Sequence, residues 1–224
     1  MKLLMERWRK YIDEECDEDE VEQLATFAHQ GQTRRGGEPY ITHPKAASEY
    51  AKEFGYSDAI SDAALLHDTL EDYHDPAEMA ELIKSVCPEA LPIVKELTHD
   101  KGVEYTDYVM SLSSEAVAVK LLDMYHNSQD LRPDSKQYNK YHNALVALGG
   151  KPSGINDAHW EALTSLLGVE SEISERDWQK ESERVTDHER NKDEILGDGG
   201  QENKAPYEDE PIKPRSKSAP PAAG

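Results

Sequence analysis

Four short strings hold an unusual share of the chain's histidines and aspartates: Tyr40-Ile41-Thr42-His43-Pro44, His67-Asp68-Thr69-Leu70-Glu71-Asp72, Lys120-Leu121-Leu122-Asp123 and, just behind, Tyr125-His126-Asn127. On a helix His67 and Glu71 stand four apart, as do Asp68 and Asp72, so the two pairs project along neighbouring faces of about one turn. An imidazole and a carboxylate adjacent in sequence can serve a metal, while the next turn offers two carboxylates for proton handling. Nitrogen and oxygen ligands without thiolates suit Mn²⁺, Fe²⁺, Zn²⁺ or Mg²⁺. With only four protein ligands on offer, such a site stays open to water or substrate. A bare His-Asp pair is common by chance. The order says more: a lone His43, then His67-Asp68 about two dozen residues on, then an isolated Asp123 about 55 residues further.

Helices must position these groups. Apolar residues recur at helical spacing through residue 168, and an all-α domain over 1–168 is expected. Val21, Leu24, Ala25 and Ala28 mark one helix behind the acidic start 17–20, whose charges suit a helix N-terminus. A loop at Arg35-Gly36-Gly37-Glu38-Pro39 leads to a helix opened by His43-Pro44 and stopped near Gly55. Further helices are predicted over 58–73, 76–85, 90–98, 105–111, 114–129 and 136–148. Val117, Val119, Leu121 and Leu122 could mimic a short buried strand, but they sit in a long proline-free segment of helix formers. After Gly168 the composition turns to Asp, Glu, Lys and Arg, then to Pro, so 169–224 reads as an acidic and finally Pro/Lys-rich tail, partly helical or disordered.

Composition narrows the partners. The 224 residues carry 25 Lys+Arg against 46 Asp+Glu, a formal charge of −21. That surplus repels a phosphate backbone, so general nucleic-acid binding is disfavoured. An anionic substrate has to be drawn in by a local cluster of metal and Arg or Lys. No apolar run approaches the roughly 18 residues of a membrane span, and Leu3-Leu4-Met5 is too short for a signal-peptide core, which makes the cytoplasm the expected address. Cys16 and Cys87, far apart in sequence, read as ordinary reduced thiols, with no disulfide framework and no cysteine zinc site.

The lone His, His-Asp and late Asp, all on helices, resemble the pattern of the HD phosphohydrolase superfamily. The flanks sharpen the likeness: Ala28-His29-Gln30-Gly31-Gln32-Thr33-Arg34-Arg35-Gly36-Gly37-Glu38-Pro39-Tyr40-Ile41-Thr42-His43-Pro44, Ala63-Ala64-Leu65-Leu66-His67-Asp68 and Val119-Lys120-Leu121-Leu122-Asp123. Over about residues 17–150 the chain resembles the hydrolase domain of RelA/SpoT-type enzymes and, in its small size, a small alarmone hydrolase. The resemblance implies that His43, His67, Asp68 and Asp123 hold one Mn²⁺ and that Glu71 and Asp72 orient and activate the attacking water. It places Arg34 and Arg35 at the nucleotide, with Lys45 and Lys101 as further basic candidates. Asn127 matches a ribose-proximal position and Tyr141 an aromatic of the nucleotide pocket. The implied substrate is guanosine tetra- or pentaphosphate, cleaved to release the 3′-pyrophosphate. The family continues Asp123 with Arg, where this chain has Met124, which moves attention to substrate preference.

Other readings of single residues stand beside these. His29 is expected to pack, His74, His99, His126 and His142 to lie at the surface or behind the ligands, and Trp8 and Trp160 to pack at the domain's ends. For Tyr141 core packing and stacking on a substrate are equally open. Another phosphorylated nucleotide, such as NADPH or a nucleoside phosphate, or a metal- and nucleotide-binding module without turnover, are the alternatives to alarmone hydrolysis. Oligomeric state is not readable.

Overall fold

The computed structural model describes residues 16–100, 102–133 and 135–173. Helices start where the sequence supplies caps. The Asp17 carboxylate accepts from the Asp19 and Glu20 amides at 3.0 and 3.2 Å and opens α1 (Glu18–Ala28). α2 (Thr42–Glu53), α3 (Asp58–Leu66) and the short α4 (Thr69–Asp72) follow. Asp75 caps α5 (Pro76–Val86), with Pro76 in the first turn where its missing N–H costs nothing. Next come α6 (Ala90–Leu97), α7 (Tyr105–Ser111), α8 (Ser114–Ser128), α9 (Lys136–Leu148) and α10 (Asp157–Leu167). Left-handed glycines, Gly149 at φ 68° and Gly168 at φ 65°, close α9 and α10. Among the described residues the fold is all-α, with one isolated bridge between Thr33 and Pro39.

α8 is the axis of the packing. Its Ala116, Val119 and Leu122 join a core with Val21 and Leu24 of α1, Ala47 and Ala51 of α2, Leu66 of α3, Ile83 of α5 and Val94 of α6. Its Val117, Ala118, Leu121 and Met124 join a second core with Val109, Tyr141, Leu145, Leu163 and Leu167. A helix buried on both sides needs apolar residues nearly all round, which is why 117–122 looks strand-like in sequence. Val169 and Ile173 are buried in the second core, so packing continues past the expected boundary at 168.

Three expectations are corrected. The predicted single helix over 58–73 is two, parted at His67 and Asp68. Thr69 Oγ1 donates to the Leu66 carbonyl and His67 Nδ1 to the Ala64 carbonyl, each at 2.7 Å, so side chains take acceptors that a continuing helix would fill with amides. α10 has no counterpart in the sequence reading, although Asn156 caps it by accepting from Ala158 N–H and Leu163 and Leu167 bury its inner face. Cys16 and Cys87 are not separate thiols: the fold brings their Cα atoms to 5.2 Å and they form a disulfide across 71 residues of sequence. Trp8 and residues 174–224, most of the expected tail, lie outside the described residues.

The disulfide stands beside Asp62 of α3, a carboxyl only 5% exposed. Burial, and after it Asp58 and Glu89, push its pKa from 3.8 up to about 6. A raised carboxyl stabilises the fold fully only below its unfolded pKa, and that contribution is lost as pH rises through 6. In oxidised, chelator-treated protein at pH 8, Asp62→Asn is expected to raise the melting temperature by about 4–8 °C. The gain should fall to about a third near pH 4.5 and toward zero below the unfolded pKa of 3.8. Equal shifts at both pH values in thermal melts monitored by circular dichroism would contradict this account.

Candidate metal centre

The site gathers where α8, α2 and the α3–α4 joint meet. Three of the four expected ligands, His43, His67 and Asp123, present donor atoms within 4.8 Å of one another, and all three are buried. His43 Nε2 is 3.1 Å from Asp123 Oδ1. Asp68 flanks the group, with Oδ2 at 3.0 Å from His67 Nε2 and 3.9 Å from His43 Nε2, and accepts the Tyr40 hydroxyl at 2.5 Å.

Hydrogen-bond chemistry fixes both imidazoles. A carbonyl can only accept, so His67 Nδ1 carries the proton it gives to Ala64. Its Nε2 is buried, without a partner in hydrogen-bond geometry. His43 Nδ1 lies 2.6 Å from His126 Nδ1, which also lies 3.1 Å from Arg34 Nη1. A guanidinium can only donate, so the His126 nitrogen is the acceptor and His43 Nδ1 the donor. With both rings neutral, the lone pairs of their Nε2 atoms point at two carboxylates; His67, drawn toward the charged form by Asp68 and Asp123, gives up its Nε2 proton when a cation takes that place. Acceptors facing acceptors, one of them orphaned, are the donor set of a divalent cation.

The electrostatics make the same demand for positive charge. Burial works against a charged His67, yet Asp68 and then Asp123 outweigh it and push its pKa up to about 9. Against burial, His67 holds Asp68, and Lys120 holds Asp123, well below the ordinary carboxylate range. Lys120, one turn before Asp123, donates to its Oδ2 at 2.8 Å. Burial first, then His43 and Arg34, push His126 down to about 4, so its ring stands neutral and able to accept.

A cavity of about 710 Å³ is lined by Arg34, Arg35, Tyr40, His126, Asn127 and Gln137, with Glu38 and Asp130 also on its wall. A tight turn brings in the arginines: Arg34 N–H bonds Glu38 O at 2.8 Å, Gly37 N–H bonds Arg34 O at 2.9 Å, and Gly37 supplies φ 95°. Arg34 Nη2 donates to Asn127 Oδ1 at 2.9 Å, and Asn127 Nδ2 to Asp123 Oδ1 at 2.6 Å. The basic wall and the ligand helix are thus one hydrogen-bonded unit.

Other expected residues take different places. Glu71 Oε1 accepts the His99 amide at 2.6 Å, and Asp72 Oδ2 is 3.6 Å from His29 Nδ1; neither lines the cavity. Burial and Asp68 raise the Asp72 carboxyl. His29 is buried against the Tyr40 ring. Tyr141, 2% exposed, packs in the second core and meets the site through its hydroxyl, which accepts from Gln137 of the cavity wall at 2.5 Å and lies 3.4 Å from Asn127 Nδ2. Met124 is buried in the same core, off the cavity wall. Lys45 is not brought to the site: its ammonium pairs with Glu22 at 2.6 Å. Lys101 lies outside the described residues. Sequence reasoning gave no role to Lys120, whose i,i+3 spacing to Asp123 was the available signal, while His126 stands behind His43, one of the two places expected of it.

Residues 22–116 match the HD domain family. The chain carries an HD domain. It is related to the hydrolase domain of SpoT- and RelA-type proteins. The chain is 30% identical over 154 residues to the bifunctional (p)ppGpp synthase/hydrolase SpoT of Escherichia coli (strain K12), an overlap of 60% of this chain and 22% of that protein. It is 33% identical over 130 residues to the guanosine-3′,5′-bis(diphosphate) 3′-pyrophosphohydrolase of Haemophilus influenzae, covering 51% of this chain and 19% of the relative. The chain thus spans about one fifth of the length of these relatives. A solved structure described as a metazoan ortholog of SpoT that hydrolyzes ppGpp shares the fold, with TM-score 0.54 and 23% identity, over 66% of this chain and 91% of that one. The buried group of His43, His67 and Asp123 is consistent with an HD metal site, with Asp123 lying just beyond the matched residues 22–116. Among the described residues, no helix is long and apolar enough to cross a membrane.

His126 fixes His43 through a single hydrogen bond, so His126→Phe should weaken divalent-metal binding about 10- to 100-fold while the protein stays folded. Calorimetric titration reads this directly, and unchanged affinity would refute the assignment of the His43 proton.

Proposed function

We propose that the HD domain hydrolyses guanosine 3′,5′-bis(diphosphate) or its 5′-triphosphate counterpart, releasing pyrophosphate from the 3′ position, with one Mn²⁺ held by His43, His67, Asp68 and Asp123. The observation that carries the reading is the direct link between the buried His/Asp group and a cavity walled by two arginines in a chain of formal charge −21. Local positive charge set against a repelling surface selects a polyanion small enough for the cavity. The names of the relatives support the substrate class.

When bound, the ion supplies Lewis acidity and makes hydroxide available near neutral pH. The chain's own groups do the rest. Arg34 and Arg35 bind phosphate oxygens, with Arg34 braced by Asn127 and His126. Tyr40 holds the Asp68 carboxylate in place through its hydroxyl. The Glu71 and Asp72 pair accepts one proton from the attacking water as it adds to the phosphorus and the bond to the 3′ oxygen breaks, and the departing 3′ oxygen takes a proton from the pair or from solvent to become the hydroxyl; the raised pKa of Asp72 suits a proton acceptor. Lys101 is assigned to the substrate's phosphates. Met124 is packed in the core and touches none of this.

Purified protein loaded with Mn²⁺ is expected to convert guanosine tetraphosphate to GDP and pyrophosphate and to leave NADPH and ordinary nucleoside triphosphates untouched. Asp68→Ala should abolish turnover, Glu71→Gln should lower kcat about 10²- to 10⁴-fold, and Arg34→Ala should act mainly on KM. Turnover of only another nucleotide would overturn the substrate. Full activity in Asp68→Ala would overturn the site. Tight nucleotide binding without product would make the protein a binding module.

A further inference from the structure

A second group of candidate ligands stands outside the His/Asp centre. Cys16 lies just before α1, Asp62 on α3, Cys87 at the end of α5 and Glu89 just before α6. One donor atom from each lies within 4.8 Å of all the others. Cys87 is fully buried and Asp62 is 5% exposed. Glu89 Oε1 faces Cys16 Sγ at 2.5 Å and Asp62 Oδ2 faces Cys87 Sγ at 3.7 Å.

A disulfide alone is a poor reason for this arrangement. Bonded sulfurs carry no hydrogen, so neither carboxylate receives a hydrogen bond from them. Among the described residues no Lys, Arg or His forms an ion pair with Asp62 or Glu89, and Lys52, whose charge reaches Asp62, is held by Glu18 at 2.9 Å. A buried carboxylate with no ion-pair partner is costly unless a cation joins it. Two sulfurs and two carboxylates drawn from four separate elements are the ligand number of a tetrahedral site, and thiolate selects a soft or borderline ion.

We propose that reduction of the Cys16–Cys87 disulfide opens a site in which both thiolates, Asp62 and Glu89 bind one zinc-class divalent cation. Two equivalents of a monothiol, or one dithiol, supply the two electrons and two protons that turn the disulfide into two thiols, and leave as a disulfide themselves. The cation then displaces both thiol protons to solvent. Sulfurs held by one zinc at about 2.3 Å each stand roughly 3.8 Å apart, an opening that side-chain rotation supplies at a Cα separation of 5.2 Å. Oxidised, the cluster fastens the start of α1 to the end of α5 covalently; reduced and loaded, the cation ties the same elements and adds α3, five residues before His67.

Cobalt(II) is the probe, because thiolate ligation gives it a near-ultraviolet charge-transfer band that a histidine and carboxylate centre cannot produce. The full chain, reduced with a phosphine under anaerobic conditions, is expected to gain this band to saturation at one thiolate-bound ion per chain and to lose it when Zn²⁺ is added. Oxidised protein and Cys87→Ser should show no such saturating band. Asp62→Asn, which retains both cysteines, should bind at least tenfold more weakly. A reduced wild-type protein without the band, or one ion bridging two chains, would overturn the proposal. So would an Asp62→Asn variant with wild-type affinity.

Discussion

Buried acceptors that face one another set the terms for the centre of this molecule. Two imidazole nitrogens and two carboxylates converge at His43, His67, Asp68 and Asp123, with Tyr40 donating to Asp68, and Lys120 and Asn127 to Asp123, from the edge of the group. Such a group is expensive to bury without positive charge, and its surroundings spend several interactions on keeping it in shape. Lys120 takes one oxygen of Asp123, the Ala64 carbonyl takes the His67 proton, and His126 takes that of His43.

The fold delivers these groups through one helix more than through any other. α8 is apolar toward two cores at once, and that double burial fixes its rotation and height. Asp123 and Asn127, one turn apart, leave the helix where the two cores meet. From Asn127 the hydrogen bonds run to Arg34, and from Arg34 through His126 back to His43. The phosphate-binding wall proposed above therefore cannot move independently of the ligands. In a chain of formal charge −21, this pairing makes the cavity the place where an anion is welcome.

Much of this was legible in the sequence for reasons that are local. Asp17, Asp75 and Pro76 announce helix starts by cap chemistry, and the order of His43, His67-Asp68 and Asp123 survives because each sits in its own helical context. What could not be read depends on tertiary contact. The break at His67 and Asp68 follows strong helix formers and comes from side chains that claim carbonyls, which propensity does not register. The approach of Cys16 to Cys87 is set by how α1 packs against both α3 and α5, and sequence separation carries no trace of it. Lys45 reads as part of a basic cluster, but its position on α2 faces Glu22 of α1. Tyr141 reads equally as core or pocket because an aromatic suits both, and only its burial decides for the core.

The central claim is that both imidazoles offer Nε2 to a single ion shared with Asp68 and Asp123. Anomalous diffraction at the manganese edge, on crystals grown with Mn²⁺, tests it most directly. The account predicts one peak, bonded to His43 Nε2, His67 Nε2 and a carboxylate oxygen each of Asp68 and Asp123. A peak coordinated through an Nδ1 atom, or Mn²⁺ bound elsewhere while this centre gives none, would contradict it.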